Sequence, residues 1–170
     1  MKPLQGTYPK YFENYIPWVK ESDVHTALKN NLTEVTTFFR AIPADMETYA
    51  YAPGKWDIKQ VLNHVTDTER IFTYRALRFA RRDPQQPLPF EENHYADNAD
   101  VSRRTLADLI EEFEAVRKAS IFLFKYLTDD TLLLSGKTAA GECTVLALGY
   151  TTCGHAIHHM NVLKERYLVK

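Results

Sequence analysis

The chain has 170 residues, 45% of them hydrophobic and 25% charged, with a net charge of −1. Those values suit one globular domain over residues 1–170 with a sizeable core, and they exclude a disordered chain. They also argue against nucleic acid as a partner, because phosphate binders usually carry a basic surplus.

No apolar run approaches the ~20 residues that span a bilayer, so no membrane anchor is expected. The stretch MKPLQGTYPKYFENYIPWVK lacks the apolar centre of a secretion signal. Two cysteines, Cys143 and Cys153, are too few for a disulfide scaffold and fit a reducing cytoplasm. The first helix is expected to start at Ser22–Asp23, which are good N-cap residues. Val24, Leu28, Leu32, Val35, Phe39 and Ile42 then recur at helical steps until Pro43. The second opens at Asp57, which with Gln60 three residues on approximates a capping box. Its stripe is Ile58, Val61, Val65, Phe72, Ala76 and Phe79, and it ends near Arg82, before Pro84. The cluster Arg75, Arg78, Arg81 and Arg82 reads as a solvated helix end, where cations suit the dipole.

A long connection follows, DPQQPLPFEENHYADNAD (83–100). It is either a lid or site wall or a plain crossover between helices. The third helix opens near Ser102 or Thr105 and carries Leu106, Leu109, Ile110, Phe113, Val116, Phe124 and Leu127. LLLSGKTAAGECT (132–144) has the small residues of a turn or short hairpin. The fourth helix begins after Thr144 and runs almost to the last residue. Four long helices predict an all-α four-helix bundle, and the long loop between helices two and three allows a non-simple order.

GHAIHHMNV (154–162) holds three of the six histidines. At ~100° per residue, Val145, Cys153, Met160, Leu163 and Tyr167 form the apolar side of the fourth helix. Ala147, Thr151, Gly154, His158, Asn161 and Glu165 fall on a mostly polar sector, so His158 is expected to face water. His155 and His159, four apart, flank the apolar side. Such a pair can chelate one divalent ion but needs a third ligand. His64, at the edge of the second helix's stripe, can supply it from across a bundle. The bland alternative leaves His155 and His159 as hydrogen-bonded boundary residues. His25 sits in a first helical turn. His94 sits in the long loop, either closing over a site or simply exposed.

Glu69 falls on the apolar stripe between Val65 and Phe72, where a lone carboxylate is costly. It either orients a ligand histidine or holds an arginine from another helix. Asp67, one turn after His64, is a milder candidate for the orienting role. Cys153 points to the apolar side and reads as an inert buried thiol. No serine-nucleophile, phosphate-loop, CxxC or HExxH motif is present.

GKWDIKQVLNHVTDTERIFTYRALRFARRD (54–83) and TVLALGYTTCGHAIHHMNVLKERY (144–167) together resemble the DinB superfamily, in particular its YfiT-like branch of metal-dependent enzymes. The resemblance, with the long acidic connection, covers most of the chain. It implies a four-helix bundle with up-down-down-up order and a divalent metal held by His64, His155 and His159. His158 matches an extra histidine of the family's last motif and is not expected to bind metal. The implied cofactor is one zinc or nickel ion with water in its open positions. The implied activity is that of a hydrolase or of an S-transferase with a low-molecular-weight thiol as co-substrate, acting on a small molecule. A non-catalytic metal-binding stress-response module is the alternative. Homodimers are common in the family, and no nucleic-acid or membrane partner is expected. No catalytic residue is assigned.

Overall fold

The computed structural model describes residues 1–169. Four long helices carry the fold: α1 (Val24–Arg40), α2 (Ile58–Ala80), α4 (Leu106–Lys125) and α6 (Val145–Arg166). Two short helices, α3 (Glu92–Asn98) and α5 (Asp129–Leu132), and a hairpin of β1 (Ser135–Thr138) and β2 (Gly141–Thr144) fill the connections. Three 3-10 turns, Lys10–Asn14, Ile16–Trp18 and Ala44–Met46, complete the elements.

The helices start where their caps predict. Asp23 accepts from the Thr26 amide and opens α1. Asp57 and Gln60 make both bonds of the capping box on α2. Thr105, rather than Ser102, caps α4 and pairs reciprocally with Asp108. Thr144 caps α6. Each cap satisfies amides that the helix cannot pair internally.

Cross-helix contacts set the directions. Glu69 and Arg70 of α2 bond Arg117 and Glu112 of α4, and Lys59 reaches the Arg104 carbonyl, so these two helices run parallel. Leu28 meets Arg117 while Arg40 meets Glu114, so α1 and α4 are antiparallel. His64 meets His155 and Trp56 meets Tyr167, so α2 and α6 are antiparallel too. The order is therefore up-down-down-up, and the 83–100 connection is the crossover that two parallel helices require.

The core is divided by a polar layer. One apolar cluster includes Leu28, Phe72, Phe124 and Cys153, and the other Val35, Val65, Phe113 and Ala156. Between them every long helix contributes buried polar side chains: Asn31 from α1, His64, Thr68 and Glu69 from α2, Arg117 and Ser120 from α4, Thr152 and His155 from α6. At its centre Arg117 Nε and Nη2 donate to the two Glu69 carboxylate oxygens, each at 2.8 Å. Ser120 Oγ donates to the same carboxylate, and Arg117 Nη1 donates to Asn31 Oδ1 at 2.6 Å. Glu69 thus holds an arginine of another helix and orients no histidine.

A buried charge stripped of its partner is strongly destabilising, whereas replacing both partners by apolar groups can be near neutral. Arg117→Leu should therefore cost about 3–5 kcal/mol in urea unfolding, and the double variant Glu69→Leu/Arg117→Leu should recover most of it. A double variant no more stable than the single one would show the pair to be something other than a matched ion pair.

Candidate metal centre

Three imidazoles meet on one side of the polar layer. His64 comes from the second turn of α2, and His155 and His159 from successive turns of α6. His155 Nε2 lies 3.1 Å from His64 Nε2 and 3.1 Å from His159 Nε2. One ligand-type nitrogen from each residue lies within 4.8 Å of those of the other two. Nitrogens sharing one tetrahedral zinc, each about 2.0–2.1 Å from it, are about 3.3 Å apart. The cluster thus has the donor type and spacing that one divalent ion takes.

Burial keeps these rings neutral. It pushes the His64 pKa down to about 4. The His155 and His159 values fall well below the ordinary range, first through burial and then through the neighbouring imidazoles. A neutral imidazole has one nitrogen lone pair free for a metal.

The cluster lies in a cavity of about 280 Å³ lined by residues from six parts of the chain. The 3-10 turns bring Tyr11, Phe12 and Tyr15, and Trp56 stacks obliquely on His64 at 4.8 Å. From α2 come Thr68, Phe72 and Arg75, and from the hairpin turn Ala139 and Ala140. Pro89, Phe90 and Glu92 come from the long connection, which is thus a site wall as well as a crossover. Tyr11 and Tyr15 share a 2.6 Å hydroxyl–hydroxyl bond, and burial holds the Tyr15 phenol protonated.

Two expectations are overturned. His158 is half-buried, packs edge-on against Tyr15 at 5.5 Å and lines the cavity instead of facing water. The cause is the N-terminal segment, which covers the sector of α6 that composition marks as polar. A Cβ on Gly154 would stand 2.2 Å from the Tyr15 carbonyl oxygen, so only glycine permits this approach. The Thr144 amide donates to the Thr7 carbonyl, and the Tyr150 hydroxyl bonds the Glu21 carbonyl, fixing the same segment. Arg75, in turn, is buried in the cavity wall and does not belong to a solvated cluster. Of its neighbours, Arg78 pairs with Asp83 at the helix end, and Arg81 and Arg82 are exposed.

The remaining candidates lie elsewhere. Asp67 accepts from Asn63 and Arg70 on the helix surface. His94 is exposed and bonds Asn98, and His25 stays in the first turn of α1. Burial pushes both thiols, Cys143 and Cys153, up to about 12, so each stays protonated.

With the bundle order and this site together, the chain belongs to the DinB superfamily, whose family model matches residues 27–163. It is 24% identical over 154 residues to the "putative metal-dependent hydrolase OB0413" of Oceanobacillus iheyensis, covering 89% of this chain and 84% of that one. Its fold is similar to that of YfiT from Bacillus subtilis, described as a probable metal-dependent hydrolase with an unusual four-helix bundle topology. That likeness has a TM-score of 0.74 at 14% identity and covers 97% of this chain and 90% of YfiT.

The depressed histidine values set a pH response. Their folded-state pKa lies below the unfolded value of 6.5, so the unfolded chain takes up protons first as pH falls. Metal-free protein should hold its stability above pH 6.5 and lose it progressively toward about 4, measured by urea unfolding in chelator. His64→Gln should flatten part of that slope; an unchanged slope would remove His64 as a contributor.

Proposed function

We propose that this cavity is the active site of a metal-dependent hydrolase in which His64, His155 and His159 hold one divalent ion. The observation that carries the reading is the convergence of three neutral imidazole nitrogens on the floor of a cavity. An all-imidazole donor set suits zinc or nickel. The names given to the similar proteins point the same way.

When bound, such an ion polarises a substrate carbonyl and brings the pKa of a coordinated water toward ~7. The chain's own residues do the rest. His64, His155 and His159 present lone pairs from three turns of two packed helices, so the donor set is rigid before metal arrives. Phe12, Trp56, Phe72 and Phe90 keep bulk water from the walls, which strengthens electrostatic contacts inside. In the Tyr11–Tyr15 pair one hydroxyl donates to the other, which leaves one proton to donate to a substrate oxygen.

Protein purified without a histidine tag should contain about one divalent ion per chain by elemental analysis. His159→Ala should lose the ion and His158→Ala should keep it, and equal loss from both would overturn the ligand set. Metal-loaded protein should cleave members of an ester and amide panel, with activity lost in chelator and regained on reloading. Turnover only with a low-molecular-weight thiol and an electrophile such as monochlorobimane would make it an S-transferase. Silence in both screens with metal bound would leave a non-catalytic module.

A further inference from the structure

Two arginines are buried in this bundle, and they differ in one respect. Arg117 is fully enclosed, and its donors reach Glu69, Asn31 and the Leu28 carbonyl. Arg75 is 8% exposed, and among the described residues no carboxylate pairs with it. Its Nε has no partner at all, and Nη2 makes one long contact of 3.4 Å with the Leu88 carbonyl. Cys143 lies close by, but its thiol is protonated and supplies no counter-charge. A buried guanidinium left so bare is costly unless something else completes it.

A second polar atom in the same wall is also without a partner. Thr68 is 3% exposed, and its hydroxyl bonds nothing. Other helical threonines here, Thr36, Thr66, Thr73, Thr151 and Thr152, donate back to the carbonyl four residues earlier. Thr68 departs from that habit at the position where α2 lines the cavity.

Their placement on α2 is ordered. His64, Thr68, Phe72 and Arg75 all line the cavity. Eleven residues separate His64 from Arg75, about 20° around the helix and about 16 Å along it. Long helical side chains lean toward the N-terminus, so the Arg75 arm points back toward the histidines and shortens that gap. The cavity thus has a metal-type donor cluster at one end and a bare cation at the other. Among the described residues Glu92 is the only carboxylate that lines it, is exposed at the rim and makes no ion pair with Arg75.

Resting on the hydrolase reading, we propose that the substrate is a small acyl compound bearing an oxyanion, a carboxylate or phosphate. Arg75 binds the oxyanion through its planar fork, and the scissile group lies at the three histidines. The volume of about 280 Å³ lies just below the usual range for ligand pockets and selects a small molecule.

Calorimetry of the zinc-loaded protein tests this with three probes: N-acetylglycine, its neutral analogue N-acetylglycinamide, and methyl phosphate. An oxyanion probe should bind at least tenfold more tightly than the neutral one, and Arg75→Gln should erase that preference. The probe that loses affinity identifies the oxyanion. Equal binding of charged and neutral probes, or a preference that survives in folded Arg75→Gln, would overturn the proposal. If Arg75→Gln does not fold, phenylglyoxal labelling of Arg75 in the unmutated protein replaces it. The oxyanion probe should slow that labelling at least tenfold, and unchanged labelling would overturn the idea. His159→Ala separates the two readings, since it should lose metal but keep the oxyanion preference. A chain that binds no metal yet keeps an Arg75-dependent preference would refute the hydrolase and leave the anion site standing.

Discussion

The Glu69–Arg117 ion pair is the constraint on which the rest of this bundle depends. Two charges taken from water cost several kcal/mol each, so the pair is tolerable only with every remaining donor and acceptor satisfied. Asn31 Oδ1 accepts from Arg117 and Ser120 Oγ donates to Glu69, which ties α1, α2 and α4 together at one height and leaves only Asn31 Nδ2 of this network without a partner. Apolar stripes alone would let helices slip by a turn with little change in buried area. The ion pair forbids the slip, because a shift of one turn would leave a bare charge in the core. With the register so fixed, His64 stands five residues before Glu69 and faces His155 across the layer.

Much of this was legible in the residues, and what was not has physical reasons. The α2 stripe is buried throughout, those of α1 and α4 are buried except for half-exposed Leu32, Val116 and Leu127, and Asp57 with Gln60 marks a helix start to the residue. A stripe, however, has no direction. The up-down-down-up order was available only through resemblance, and in the structure it follows from cross-helix pairs that no local pattern encodes. The angular reading grouped His155 with His159 and placed His64 at a stripe edge, and the three do meet.

The same angular reading failed at His158 because it took polarity for exposure. Ala147, Thr151 and Gly154 share that sector, and small residues also permit a second chain segment to lie close. The segment that does so, with its short 3-10 turns, has no periodicity to announce it. A run of arginines carries no angular information by itself, and so does not set Arg75 apart. Its eleven-residue spacing from His64 would have set it on the cavity face, apart from Arg78, Arg81 and Arg82. Local propensity thus describes elements well, and the site's further walls arise from chain segments that reach it by tertiary packing.

The histidines that face each other across the bundle, His64 and His155, are 91 residues apart in the chain. Bringing them together carries a loop-closure cost, and no partial structure lacking α6 contains more than one of the three. A helix pair this distant adds non-local contacts, which stabilise only after that loop-closure entropy is met. The imidazole trio therefore exists only in a molecule whose bundle has closed. Any ligand gripping all three acts as a clasp on the finished topology and discriminates it from every half-built intermediate.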